Sequence, residues 1–408
     1  MRGKGSVWTF KYALLNITYF AAFCTVHAYA AVYLLAHGFT NTEVGILLAV
    51  ANITSSLVQP VAAGLIDKPN PLTNRIYILA SLIFILLGAV LLLFIQDNKP
   101  AIFVIFASIY MVQFAYMPVM TALCFEYNKV GCDIFYGLAR GLGSAGFAFT
   151  SVWIGGVVER RGVSVLPIVT ILVMIASILV ILSFRKPAVV TETGTEADPA
   201  ADGRKAHNNI GEFIRIYPAF SLFIISSTCF FFAHNMINDF MIQIVRELGG
   251  AEKELGFSNF LQGILELPAM ILIGIVIRKV SARTLLLISG TAFLIKTALL
   301  VFAENLGWLY VSQSFQMLAY AVFIPATAIY VSDTMEELDQ VKGQAFITTS
   351  ITIGGVFSNF VSGRIIDQLG VRAALTVGSV VCAVGVIIAF AAMRLPAYRS
   401  VPSEHPDR

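Results

Sequence analysis

Long apolar runs separated by short polar breaks are the dominant pattern of this chain. A helix that crosses a membrane needs about 20 predominantly apolar residues, and twelve runs approach or exceed that length. They lie at residues 12–35, 44–66, 76–96, 101–125, 134–158, 164–184, 216–245, 255–277, 284–303, 307–331, 345–367 and 373–393. The pattern therefore predicts an all-α membrane protein with twelve transmembrane helices.

One polar break is much longer than the others. Residues 185–211 are polar and rich in Ala, Thr, Asp and Gly, a composition that cannot bury a core and that is typical of a flexible linker. This segment divides the apolar runs into two sets of six. We therefore expect an N-terminal six-helix bundle over 1–184, a linker over 185–211, a C-terminal six-helix bundle over 212–394 and a tail over 395–408.

The distribution of basic residues predicts the orientation. With both termini in the cytoplasm, eighteen Lys and Arg residues fall in cytoplasmic segments and seven in external segments. Membrane proteins keep an excess of Lys and Arg on the cytoplasmic side. We therefore expect a multi-pass protein of the plasma or inner cell membrane whose termini, linker and tail are cytoplasmic.

The composition narrows the class of protein further. Of the residues, 58% are hydrophobic and only 12% are charged, whereas a soluble domain is about a quarter charged. The net charge of +3 is too small to indicate a nucleic-acid partner. The five cysteines show no metal-binding spacing, and no P-loop or nucleophile elbow is present. We expect no metal, no cofactor and no enzymatic activity, and we expect a monomer in the lipid bilayer.

Ionisable residues inside the apolar runs are the strongest functional signal. A charge at mid-membrane depth is costly, so it normally faces a partner or a water-filled cavity. Arg140 and Lys296 are the two positive charges within the runs. The acids and histidines that oppose them within the runs or at their edges are His27, Glu126, His234, Asp239 and Glu266. This near balance of charge indicates a paired internal network.

Polar residues also recur at helical spacing on several runs. Residues three or four apart lie on one face of a helix. Such stripes are Arg140, Ser144 and Phe147 in the fifth run, His234 and Asn238 in the seventh, Asn259, Gln262 and Glu266 in the eighth, and Gln313, Gln316 and Tyr320 in the tenth. Stripes on separate helices predict a shared, water-accessible cavity.

Three segments resemble the lactose permease-like branch of the major facilitators, which includes oligosaccharide, nucleoside and phenylpropionate symporters. These segments are "QPVAAGLIDK" (59–68), "FYGLARGLGSAGF" (135–147) and "GTAFLIK" (290–296). The resemblance covers nearly the whole chain. It implies two pseudo-symmetric six-helix bundles with the substrate site between them near the middle of the membrane.

The resemblance also implies roles for single residues. Arg140 matches the arginine that binds sugar hydroxyls and pairs with an acid, and Glu266 resembles the acidic residue of the eighth helix. Lys296 stands where the family has a cation near the proton site. Phe147 stands where the permease has a sugar-stacking tryptophan, and its ring can still stack but lacks the indole N–H. Asp67 resembles the acid of a cytoplasmic gating latch.

The chain departs from the sugar permease at its proton-transfer residues. The tenth-helix histidine and glutamate align with Gln316 and Ala319, and Ala122 stands at the position of the fourth-helix acid. Lactose is therefore not the expected substrate, and the proton carrier stays open. The residues predicted to take part in proton coupling are Glu266, His234, Lys296, Glu126 and Asp239.

The sequence thus predicts a secondary transporter for a small polar or aromatic solute (a sugar, a nucleoside or an organic acid) that works by alternating access with proton symport. Efflux antiport on the same fold is the alternative, although the fifth run lacks the proline of the usual antiporter motif. A membrane sensor or enzyme is disfavoured, because the linker is too short for a further domain. The predicted substrate-binding residues are Arg140, Ser144, Phe147, Glu266, Gln262, Asn259, His234, Gln313, Gln316 and Tyr29.

Overall fold

Helices account for all the regular secondary structure in the part of the chain that the computed structural model describes, residues 2–66, 72–185, 210–276 and 279–398. Their bounds are Arg2–Phe23 (α1), Ala30–Ala36 (α2), Asn41–Ile66 (α3), Asn74–Phe94 (α4), Lys99–Lys129 (α5), Tyr136–Arg161 (α6), Val165–Leu182 (α7), Ile210–Ile216 (α8), Pro218–Asp239 (α9), Met241–Glu247 (α10), Glu252–Val276 (α11), Ala282–Val301 (α12), Leu306–Ser314 (α13), Tyr320–Thr334 (α14), Glu337–Leu369 (α15) and Val371–Arg394 (α16). A π-helical segment, Cys24–Ala28, precedes α2, and a 3₁₀ segment, Phe315–Met317, follows α13.

Length and apolar character qualify most of these helices as membrane spans. Among the described residues, ten candidate spans are found, α13 and α14 counting as one, and the bent pair of α1 and α2 adds an eleventh. Helix α11, with 25 residues, occupies the predicted eighth run. The predicted all-α membrane fold is confirmed, and its twelve spans are compatible with these helices.

Large apolar side chains cover the outer surface of the helices. Leu179 on α7 is 65% exposed, Ile387 on α16 68% and Leu87 on α4 58%. In water such a surface would be unfavourable, whereas in lipid tails it contacts an equally apolar medium. The exposed faces therefore identify the surface that meets the bilayer.

Three of the predicted apolar runs are not continuous α-helices. The first contains the π segment and a bend of 44°, the seventh breaks at Phe240, and the tenth contains the 3₁₀ segment. Irregular backbone at membrane depth is tolerated where it is buried in protein or lines a cavity. These breaks change the direction in which the following side chains point.

The helices form two groups. Helices α1–α7 form one group and α9–α16 the other, and the groups meet through extensive contacts of α3 with α15 and of α6 with α11. Residues 186–209 of the predicted linker and residues 399–408 of the tail lie outside the described part, so the domain boundaries remain predictions. We call the side where α1 begins and α16 ends the terminal side, and the opposite side the distal side.

Helices α3 and α15 make one of the two main contacts between the groups. A Cβ atom added at Gly45 of α3 would overlap the carbonyl of Asn359, and one added at Gly363 of α15 would overlap the carbonyl of Asn41. Gly45 and Asn41 lie in the first turns of α3, and Gly363 lies near the end of α15. The two backbones therefore touch on the distal side, where no side chain fits between them.

Helices α6 and α11 make the other main contact, also on the distal side. A Cβ at Gly256 of α11 would overlap the carbonyl of Ser151 on α6, and one at Gly155 would lie 2.5 Å from the Glu252 carbonyl oxygen. The Tyr29 hydroxyl donates to the Ser151 carbonyl at 3.1 Å and to the Glu252 carbonyl at 3.4 Å. This buried tyrosine thus bridges the two groups.

The terminal side is looser. A Cβ added at Gly64 near the end of α3, or at Gly137 and Gly141 in the first turns of α6, meets no described atom within 4 Å beyond its own helix and neighbours. The same two helices that touch the other group at the distal side thus have open space beside them here. The two groups therefore touch through their backbones on the distal side and do not pack on each other at these glycines of the terminal side.

Candidate functional site

A cavity of about 330 Å³ lies between the two helix groups, which is within the roughly 300–1,000 Å³ range of small-molecule sites. Helices α1, α3, α5 and α6 line it from one group, and α9, α11, α14, α15 and the 3₁₀ segment from the other. Its polar and aromatic lining residues are Phe20, Phe23, His27, Asn52, Tyr110, Phe114, Arg140, Ser144, Phe147, Phe231, His234, Asn235, Asn238, Asp239, Asn259, Gln262, Glu266, Gln316 and Tyr320.

Arg140 enters the cavity from the start of α6. Its Nη1 donates to the Ser144 hydroxyl, one turn further along the helix, at 3.0 Å. Its Cζ lies 4.2 Å from the centroid of the Phe20 ring, which offers a cation–π contact. Within the described ranges, no carboxylate lies within 4.0 Å of this guanidinium. The remaining guanidinium donors are therefore free to bind a solute.

A row of hydrogen bonds joins three helical elements through Lys296, Gln316 and Glu266. The fully buried Lys296 on α12 donates through Nζ to Gln316 Oε1 at 2.7 Å. Gln316, in the 3₁₀ segment, donates through Nε2 to Glu266 Oε1 at 3.0 Å. The amide thus accepts from the cation and donates to the anion, so it links the two charges without direct contact. Only the last two members of the row line the cavity.

His234 and Asp239 bring two more ionisable groups to the cavity from α9. A hydrogen bond of 2.9 Å joins His234 Nε2 to the Asn238 amide nitrogen, and the imidazole stacks on Tyr320 with ring centroids 5.4 Å apart. Asp239 is the last residue of α9, immediately before the break at Phe240. The break lets a carboxylate at the end of a helix face the cavity.

His27 belongs to an aromatic cluster at the wall of the cavity, formed with Phe23, Tyr110 and Phe114. The imidazole stacks on Phe23 at 4.2 Å and lies 3.7 Å from Tyr110 and 4.6 Å from Phe114, measured between ring centroids. It is 8% exposed, and neither ring nitrogen has a hydrogen-bond partner in the described part of the chain. Its nitrogens are therefore available to a solute.

The structure brings most of the predicted site residues to this one cavity. Those that line it are Arg140, Ser144, Phe147, His234, Asp239, Asn259, Gln262, Glu266 and Gln316. Lys296 lies behind Gln316 and reaches the cavity only through that amide.

Besides Lys296, three predicted residues of the described ranges do not line the cavity. Gln313 is fully buried and its amide points to the Met241 sulfur at 3.8 Å. Tyr29 belongs to the contact between α6 and α11. Glu126, near the terminal end of α5, accepts from Asn74 Nδ2 at 2.8 Å. Asp67 lies outside the described residues.

Several lining residues were not among the predicted site residues. Asn52 on α3 and Tyr110 on α5 belong to uncharged stripes that were not among the predicted ones. Gln59 follows Asn52 two turns later on the same face, and Gln113 and Phe114 follow Tyr110 one turn later. This spacing is the signal that could have found them. Among the described residues, no group of three His, Cys, Asp or Glu could hold a metal ion.

A family model described as the MFS_1 like family matches residues 9–377 of the chain. No curated protein matches.

Several solved structures share the fold. The nucleoside transporter NupG, in a substituted form, has a TM-score of 0.77 at 15% identity, over 95% of this chain and 99% of that chain. A bacterial homologue of the human lysosomal transporter Spinster, inward-facing and unoccupied, has a TM-score of 0.71 at 12% identity, over 99% and 100%. An auto-inhibited POT family peptide transporter has a TM-score of 0.73 at 11% identity, over 98% and 99%. Identities this low show the fold alone.

Proposed function

The chain belongs to the MFS_1-like family of membrane transporters, and from this premise we propose that it is a proton-coupled symporter for a small polar or aromatic solute. It is a multi-pass membrane transporter and not an enzyme. The proposed substrate classes are sugars, nucleosides and organic acids. A nucleoside transporter and a peptide transporter stand among the structural neighbours, and their substrates are candidates for the first assays.

The cavity between the two helix groups is the observation that carries this proposal. Side chains from both groups meet in it, and the backbones of α3 and α15 and of α6 and α11 close it on the distal side. Alternating access requires a site shared by two bundles that rock around it. A solute entering from the terminal side would reach Arg140 and Glu266, and opening of the distal contacts would then expose it to the other side.

Arg140, Ser144 and Phe147 share one face of α6 and form the proposed core of the binding site. The guanidinium supplies hydrogen-bond donors, and the Phe147 ring supplies an apolar face on which a ring can stack. Gln262 and Asn259 face them from α11 and supply amides that can both donate and accept. This combination suits a solute that has a ring and several polar groups.

Glu266 is the proposed proton carrier. Its carboxylate lines the cavity and receives the Gln316 hydrogen bond, which connects it to Lys296. Protonation of Glu266 would remove the negative charge that opposes Lys296 and Arg140. The net charge of these three groups would therefore change with the protonation state of Glu266. A proton would thereby bias the access state, because Arg140 and Glu266 belong to different helix groups.

Transport by the purified full-length chain in proteoliposomes tests this proposal. Radiolabelled nucleosides, sugars, amino acids and aromatic acids are offered with and without an imposed pH gradient, against protein-free liposomes. Accumulation on the side toward which protons flow supports symport. Accumulation in the opposite direction supports efflux antiport, and flux that ignores the gradient removes proton coupling. We expect the terminal side to be cytoplasmic and the transporter to act as a monomer in the cell membrane.

A further inference from the structure

The cavity contains two opposite charges that form no ion pair within 4.0 Å among the described residues. The Arg140 guanidinium hydrogen-bonds Ser144 and packs on the Phe20 ring, as described above, and the Glu266 carboxylate acts on it only from beyond 4.0 Å. The Asp239 carboxylate lines the cavity, and no Lys, Arg or His of the described segments lies within 4.0 Å of it. Lys296 and Glu266, by contrast, are linked through Gln316. A buried charge without a partner is costly, so a ligand that supplies both partners is favoured.

Aromatic residues line the same cavity as Asp239. Tyr110 lines it together with the carboxylate, and the Tyr110 ring packs on His27 and Phe114. One nitrogen of the neutral His27 ring can accept a hydrogen bond from the solute, because neither ring nitrogen has a partner in the described part. A carboxylate beside several aromatic rings is the chemistry that recognises an ammonium group.

The Arg140 end and the Asp239 end belong to one cavity of about 330 Å³. A single small solute inside it can therefore present opposite charges to the two side chains.

We propose that the substrate is a small aromatic zwitterion, whose amine binds Asp239, Tyr110 and His27 while its anionic group binds Arg140. This inference rests on the proposed function, since it takes the cavity as the solute site, and it narrows the organic acids to those that carry an amine. The aromatic ring of the solute would lie between the two ends, against Phe23 and Phe147.

Three probes that differ in one charge each test the inference. They are L-phenylalanine, N-acetyl-L-phenylalanine, which lacks the cation, and phenethylamine, which lacks the anion. Binding to the full-length chain in lipid nanodiscs is measured by calorimetry. We expect phenylalanine to bind at least 10-fold more tightly than either derivative. Asp239→Asn should weaken phenylalanine and phenethylamine at least 10-fold and leave N-acetylphenylalanine unchanged, which also shows that the variant is folded.

Two further variants make the test specific. Phe114→Leu keeps an apolar side chain but removes an aromatic face, so it should weaken both amines several-fold. Asp133→Asn is the matched control, because Asp133 lies in the loop between α5 and α6 at a φ of 47° that asparagine also tolerates. It should leave binding of all three probes unchanged.

Several outcomes would overturn the inference. Equal binding of phenylalanine and its N-acetyl derivative would exclude an amine site, and so would amine binding that survives Asp239→Asn. Tight binding of uridine that is insensitive to Asp239→Asn would leave the proposed transport function standing while the zwitterion proposal fails. Proteoliposomes that move no solute under any gradient would instead contradict the proposed function itself.

Discussion

The Asp367 carboxylate, at the end of α15, caps the first turn of α3, which belongs to the other helix group. It accepts the backbone N–H groups of Asn41 at 3.1 Å and Thr42 at 2.7 Å. It also accepts the Asn41 side-chain amide at 2.8 Å and the Thr42 hydroxyl at 2.6 Å. The first N–H groups of a helix lack intrahelical partners and favour a negative charge. One residue therefore stabilises the distal closure by satisfying a helix end across the interface.

Replacing Asp367 with Asn should favour opening of the distal side. The amide keeps one oxygen acceptor but loses the charge and the second oxygen, a loss of about 0.5–2 kcal/mol for a capping interaction. We expect the ratio of distal-open to distal-closed molecules to rise about 2- to 30-fold. Distances between spin labels on the distal ends of α3 and α15 measure this ratio. Asp333→Asn, an exposed acid on α14, is the control and should leave the distances unchanged.

Gly45 should be required for distal closure on steric grounds. A methyl group there would overlap the carbonyl of Asn359, so Gly45→Ala should hold the distal side open and reduce transport at least 10-fold. Gly64→Ala provides the matched control on the same helix, because its added Cβ meets no described atom within 4 Å. Uptake by the two variants in proteoliposomes compares them directly. Normal flux by Gly45→Ala would exclude a closure that depends on this backbone contact.

The spacing of residues in the sequence located much of the cavity but not its full lining. Arg140, Ser144 and Phe147 could be placed on one face because α6 is a continuous helix. The same spacing argument grouped Gln313 with Gln316, yet the 3₁₀ segment that begins at Phe315 changes the register between them. Gln316 therefore faces the cavity while Gln313 points to Met241.

Asn52 and Tyr110 were missed for a different reason. Each lies on a stripe without charge, since Asn52 shares a face of α3 with Ser55 and Gln59, and Tyr110 shares a face of α5 with Gln113. Which members of such a stripe line the cavity depends on the packing of separate helices, because Asn52 and Tyr110 line it whereas Gln59 and Gln113 are not among its lining residues. The twelve apolar runs, in contrast, follow from local composition, since each run must satisfy its own backbone hydrogen bonds in lipid.

Arg140 should tolerate neither loss nor shortening of its guanidinium. Arg140→Ala removes the donors to the solute, and Arg140→Lys keeps the charge but replaces the planar donor group with a point charge. We expect at least a 100-fold loss of uptake for the first variant and at least a 10-fold loss for the second, with normal expression. Arg160→Ala, an exposed arginine on the same helix, should transport normally. Wild-type uptake by Arg140→Ala would remove this residue from the site.

Neutralising Glu266 should separate proton coupling from solute movement. Glu266→Gln keeps the shape and can still accept from Gln316, but it cannot bind and release a proton at physiological pH. We expect accumulation of solute against its own concentration gradient to be lost, while exchange of labelled for unlabelled solute continues within about 3-fold of wild type.

Gln316→Leu interrupts the hydrogen-bonded row to Lys296. It should impair both accumulation and exchange, because it leaves a buried cation without its acceptor. If Glu266→Gln still accumulates solute in response to a pH gradient, the proton carrier is another group. The next candidates are then His234 and Asp239, the two ionisable side chains of α9 that line the cavity.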